Sequence, residues 1–241
     1  AVIAGWMFAS QRMGETMPGY AFAGLLYLLV VSLLLLQPDV GQAAVVTAIF
    51  GVQFFLAGLP MILVIVMVLG GIGMLVSAYF VFPHVQSRID RFLDPAAGDT
   101  FQIDKAREAF MNGGLFGRGP GEGIAKANLP DSHADFVFAV AGEELGLIAC
   151  LIIVGIFAFI VLRGFSRVLQ DNDLFVVVAA TGLLVQFGLQ ALINMASTLS
   201  LIPTKGMTLP FLSYGGSSLL ALGIGMGMLL GLTRKRPGVL S

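Results

Sequence analysis

Residues 113–146 read GGLFGRGPGEGIAKANLPDSHADFVFAVAGEELG, and the change of character inside this stretch decides the fold. Its first half is glycine-rich and charged, and at Asp135-Phe136 it turns into the start of an apolar run. Around it, 57% of the 241 residues are hydrophobic and only 11% are charged, where soluble domains carry about 25% charged residues. A polar segment this long beside membrane hydrocarbon needs a reason. The reading is an active-site mouth, with Asp135 as the catalytic group.

Upstream, the polar region extends back to Pro83, and residues 83–135 hold 14 of the 27 charged side chains. Apolar stretches lie at 20–36, 43–57, 61–82, 136–162, 174–199 and 217–233. Each is close to the roughly 20 residues that a membrane-crossing helix needs, and tilt absorbs the differences. The expected fold class is therefore all-α. It is a polytopic membrane helical bundle, one transmembrane domain over 1–241 with about six transmembrane helices, plus a large extracytoplasmic loop at 83–135. Within that loop Asp99 and Gln102 have capping-pair spacing, Ile103, Ala106 and Phe110 recur at helical spacing, and Gly113-Gly114 ends the run. This predicts one short amphipathic helix lying at the membrane surface. Residues 1–19 read as the end of an earlier span and a connection. With no basic leader before Ala1-Val2-Ile3, the chain is expected to be the C-terminal part of a longer membrane protein.

The formal net charge of −1 gives no nucleic-acid footprint, and the single Cys150 excludes an intrachain disulfide or a cysteine metal site. Arg12, the Arg163/Arg167 connection and the Arg234-Lys235-Arg236 tail fall on one side of a six-crossing topology. The positive-inside rule assigns that side to the cytoplasm. The turn at Asp39, the loop at 83–135 and the loop at 200–216 then share the outer side.

Asp135 stands where the polar loop meets an apolar helix, with Asp131 and His133 close by. A carboxylate beside apolar side chains has a raised pKa and acts as a general base; the competing reading is a structural helix cap. Glu143 lies two turns further on, about 80° around the helix and about 12 Å along it. Its expected task is to fix a basic partner, while Glu144 pairs at a helix interface. The loop 114–123 lacks both the preceding strand and the Lys-Ser/Thr end of a phosphate-binding P-loop. Its alternatives are a backbone holding Arg118 near a lipid phosphate and a plain solvated turn. Lys205, between Pro203 and Pro210, is a point charge for a pyrophosphate or a snorkelling side chain. Gly223, Gly225, Gly227 and Gly231 suggest close helix packing.

Five motifs in order carry a family resemblance: QPDVGQ (37–42), RIDRFLDP (88–95), GGLFGRGPGEG (113–123), LPDSHADFVFAVAGEELG (129–146) and PTKGMTLPFLSYGGSS (203–218). The chain resembles the SEDS proteins (shape, elongation, division and sporulation), the FtsW/RodA type of peptidoglycan glycan-chain polymerase. The motifs cover about the last six of that family's ten spans. The lysine-containing PTKG form (203–206) is more similar to the division branch. The family's essential aspartate falls on Asp135, in a pattern where Ala134 stands in place of the usual Thr.

The resemblance implies a glycosyltransferase of the bacterial cytoplasmic membrane, acting at the division septum on lipid II. Asp135 would take the proton from the acceptor sugar's 4-hydroxyl, and undecaprenyl pyrophosphate would leave in a single inverting displacement. The implied substrate-binding residues are Lys205, Arg118, Arg88, Arg91, His133, Glu143 and Ser213. A divalent cation, Mg or Mn, could share the charge stabilisation, although the sequence offers it no ligand set. The implied partners are a class B penicillin-binding transpeptidase, other division-complex proteins and membrane lipid. The alternatives are a lipid II flippase and a non-catalytic scaffold of the division complex.

Overall fold

The computed structural model describes residues 1–13, 18–58, 60–94, 101–124, 126, 129, 131–204 and 206–234. Among these residues the regular elements are all helices: α1 (Val2–Arg12), α2 (Gly19–Leu36), α3 (Val40–Leu56), α4 (Met61–Val81), α5 (Pro83–Leu93), α6 (Phe101–Gly113), α7 (Val137–Val168), α8 (Leu174–Thr198) and α9 (Gly216–Leu232). Helices α2, α4, α7 and α8 are long and apolar enough to cross a membrane, and α3 and α9 are shorter apolar helices. These six are the six apolar stretches read from the sequence. The polar turn 37–42 starts α3, because the Asp39 carboxylate accepts a 3.0 Å bond from the Gln42 backbone N–H as an N-cap.

Three boundaries differ from the sequence reading. Residues 83–93 form a second amphipathic helix, α5, with Pro83 in the first turn, where its missing N–H costs nothing. Val85, Ile89 and Phe92 recur at helical spacing within it. Helix α7 runs to Val168 instead of stopping at 162. Gly164 is a weak helix former, but close packing requires it, since a Cβ there would stand 2.5 Å from a Leu184 methyl; the flanking arginines are good helix formers whose long side chains reach away from the apolar body. The helix is also interrupted at Gly146, with φ 79° and ψ −178°, a conformation open essentially to glycine alone. Helix α6 spans Phe101–Gly113, and Gly114 follows it with φ 55°. The proposed capping residue Asp99 lies outside the described residues.

The helices divide into two compact units. One comprises Ala1–Met74, Val161–Gln186 and the chain from Ala221 onward. Its core is aromatic: the fully buried Phe8 packs edge-on to Phe54 with ring centroids 4.7 Å apart, and Tyr27 stacks on Phe50 at 4.6 Å. Gln53, 1% exposed in this core, is satisfied by donating to the Val178 carbonyl at 3.1 Å. On α9, Leu222 and Leu229 are buried. The glycines of this helix do not form a tight seam, because a Cβ at Gly223, Gly227 or Gly231 would meet no atom within 4 Å. The larger leucines carry the packing instead.

The other unit comprises Leu75–Ile160 and Phe187–Leu220. Its core joins Ala106 and Ala109 of α6 to Leu129, Phe136 and Ala139, with Phe110 packed against them. Small residues on α6 let the turn before α7 approach the helix closely. This unit holds the candidate site.

Candidate active site

The turn that presents Asp135 is built around one carbonyl. Asp131 adopts φ 53°, and its C=O accepts from the N–H groups of Ala134 (3.0 Å), Asp135 (3.0 Å) and Phe136 (3.4 Å). Buried Leu129 and Phe136 anchor the turn on α6. The Asp135 side chain is left half-buried just before the first turn of α7.

A second segment covers it. Asn194 of α8 is 1% exposed, and its Nδ2 donates to the Asp135 carbonyl at 2.9 Å and to the Met207 carbonyl at 2.5 Å. One turn earlier, Gln190 Nε2 donates to both the carbonyl and the hydroxyl of Thr208, each at 3.1 Å. The Tyr214 N–H donates to the His133 carbonyl at 2.8 Å. The loop between α8 and α9 is thus stitched to the 131–135 turn. Gly206 approaches so closely that a Cβ there would stand 2.8 Å from Asp135 Oδ2.

Burial beneath this loop pushes the Asp135 carboxyl above its ordinary pKa, the Asp131 charge pushes it further, and Arg88 on α5 opposes both. A carboxylate with enhanced proton affinity, partly open to the outside, is suited to removing a proton from a hydroxyl.

The glycine-rich loop is held differently. It lies against the break in α7, where the N–H groups of Arg118 and Gly119 donate to the carbonyls of Glu143 (2.9 Å) and Glu144 (3.0 Å). The Leu147 N–H donates back to the Gly114 carbonyl at 2.9 Å. Backbone freed by the irregular Gly146 is therefore satisfied by the loop. An added Cβ at Gly113 would collide with the Gly142 carbonyl, which explains the small residue there. Glu143 is fully buried and faces the Arg118 guanidinium at 3.9 Å. Glu144 accepts from Lys126 at 2.8 Å and from the Gly121 N–H at 3.0 Å.

The candidate residues therefore separate into groups. Asp135 and Arg88 interact electrostatically, and the His133 backbone joins the same turn, with its side chain exposed. Arg91 lines a cavity of about 460 Å³ between α5, α6 and the end of α8, together with Arg107, Asp104, Thr198 and Ser200. Arg118 and Glu143 face each other, and Ser213 Oγ accepts from the Leu209 N–H at 2.7 Å within its own loop. Lys205 lies outside the described residues. No three His, Cys, Asp or Glu side chains among the described residues are grouped to hold a metal ion, so no step is assigned to a cation. Asn194, Gln190 and Arg107 escaped the sequence reading. The available signal for Asn194 and Gln190 was a row of three amides at one-turn spacing, Gln186, Gln190 and Asn194, in a mostly apolar helix.

Comparison with known proteins gives this geometry a family. A family model for cell cycle proteins, FtsW/RodA/SpoVE, matches residues 3–237. A protein of Caulobacter vibrioides called probable peptidoglycan glycosyltransferase FtsW is 54% identical over 239 residues, covering 98% of this chain and 61% of its own length. Its namesake in Trichlorobacter lovleyi is 40% identical over 215 residues, covering 86% of this chain and 55% of that protein. Each relative is thus spanned over less than two thirds of its length. A chain in the solved structure of a peptidoglycan synthase complex aligns with TM-score 0.74 and 30% identity, over 96% of this chain and 67% of the other. The Thermus thermophilus rod shape determining protein RodA aligns with TM-score 0.62 and 31% identity, over 90% of this chain and 57% of the other. The chain is a multi-pass membrane protein and belongs to the FtsW/RodA/SpoVE family of cell cycle proteins.

Proposed function

We propose that this chain carries the catalytic aspartate of a peptidoglycan glycan-strand polymerase that uses lipid II in septal wall synthesis. The observation that carries the reading is the Asp135 carboxylate, half-buried against Gly206, raised in proton affinity, and held through its own carbonyl by Asn194. Asp135 accepts the proton of the acceptor 4-hydroxyl as that oxygen attacks the anomeric carbon of the donor. The donor's C1–O bond breaks, and the electron pair leaves on the polyprenyl pyrophosphate. The α-linked donor becomes a β-1,4 product in one displacement, so a single base suffices and no covalent enzyme intermediate forms. The site faces the outside of the cytoplasmic membrane, and a penicillin-binding transpeptidase cross-links the strand it makes.

The test is the complete protein in liposomes with labelled lipid II. Polymer of increasing length supports the reading, while translocation of lipid II without polymer would replace it with a flippase.

A further inference from the structure

The proposed reaction releases a diphosphate, and two of the candidate arginines among the described residues interact with carboxylates. Arg118 is directed at buried Glu143. Arg88 interacts electrostatically with Asp135 itself. The α5–α6–α8 cavity contains two further guanidiniums, those of Arg107 and of Arg91, which donates to the Ser87 carbonyl and hydroxyl at 3.0 Å each. Arg107 is exposed and makes no hydrogen bond or ion pair among the described residues. Ser200, on the same wall, offers a hydroxyl with no partner among them. One carboxylate, Asp104, shares the lining, so the cavity's formal charge is positive.

Two register relations put this cavity beside Asp135. Arg91 lies three residues after Arg88 on α5, and Thr198 lies four after Asn194 on α8, a step of about 6 Å along the helix. The remaining wall is apolar, with Phe92, Ile103, Phe110 and Met111. Met111 and the neighbouring Leu93 are themselves exposed. A cavity that is cationic inside and apolar at its walls fits an amphiphile with a compact polyanionic head. Paired guanidiniums match the oxygens of a diphosphate better than a single phosphate, which one arginine can already engage in a bidentate manner.

We propose that this cavity is the diphosphate subsite of the lipid-linked donor, with Arg91 and Arg107 as its two clamps. The proposal rests on the polymerase reading for its substrate, and it adds Arg107 to the binding machinery. The probe is radiolabelled farnesyl diphosphate, binding at equilibrium to the complete protein in detergent, so that no turnover is needed. Arg107→Ala and Arg91→Ala should each weaken binding roughly tenfold or more, the loss expected for a charged hydrogen-bonding group. Farnesyl monophosphate and dioleoylphosphatidylglycerol should compete at least tenfold less well than unlabelled diphosphate. Thermal unfolding checks each variant, and Arg107→Gln is read instead if the alanine variant melts early.

Unchanged affinity in both variants would overturn the subsite. Equal competition by phosphatidylglycerol would also overturn it, in favour of a general anionic-lipid site. Either result leaves the polymerase reading standing if glycan chains still form. Tight diphosphate binding without any polymer would instead keep the subsite and remove the polymerase.

Discussion

The side-chain amide of Asn194 and the backbone carbonyl of Asp135 are joined by a 2.9 Å hydrogen bond, 59 residues apart in sequence. The same nitrogen holds Met207 at 2.5 Å, so one buried amide fixes both the carboxylate's turn and the loop that covers it. Asn194→Ala leaves both carbonyls without this donor, at on the order of 1–3 kcal/mol for each that stays buried and unsatisfied. The expected outcome is an earlier thermal transition in detergent and a marked loss of polymerisation. Asn194→Gln, which keeps the donor, should recover part of both.

Asp135 titrates above the ordinary aspartate range because it is buried, with Asp131 reinforcing the shift and Arg88 opposing it. A general base works only when deprotonated, so polymerisation should fall as pH drops through this raised pKa. Asp131→Asn removes a raising charge and should move the acidic limb of the pH–rate profile to lower pH. Arg88→Ala removes the opposing charge and should move it to higher pH. A coincident limb in all three proteins would remove Asp135 as the titrating base.

Gly146 occupies φ 79° and ψ −178° at the break in α7. A Cβ there would also collide with the backbone of Gly117. Gly146→Ala therefore has both conformational strain, on the order of 1–3 kcal/mol, and a steric clash. The expected result is a lower melting temperature and protease sensitivity across 113–124, read by cleavage mapping. Gly227→Ala, on an open face of α9, should leave both unchanged.

Arg118 and Glu143 define a tie between the glycine-rich loop and α7. Arg118→Ala should lower thermal stability only modestly, since the Arg118 side chain is 36% exposed and the pair is correspondingly screened, and should leave the KM for lipid II within about twofold, since this guanidinium is directed at Glu143. A large rise in KM with unchanged melting would make Arg118 a substrate ligand instead.

The six apolar helices were legible because hydrocarbon length is a strong local signal, and Asp135 was legible as a candidate because a carboxylate stands at the edge of an apolar run with Asp131 and His133 close by. Helix α5 was not read: its charges blend into the long polar segment, and its start signal is a single proline. The break at Gly146 was hidden because helical periodicity continues on both sides, and only the loop backbone across from it reveals the interruption. Asn194 acts through hydrogen bonds to residues 59 and 13 positions away, which no local pattern encodes. Arg107 becomes notable only once α5, α6 and α8 enclose a common space.

The central claim is that one carboxylate accepts the acceptor's proton. Polymerisation of labelled lipid II by the complete protein, wild type against Asp135→Asn, measures this directly. The amide keeps the side chain's size and cannot take the proton, so the rate should fall by at least the roughly 10²–10⁴-fold typical of a lost general base, with the protein still folded. Glycan chains formed at the wild-type rate by Asp135→Asn would contradict the account.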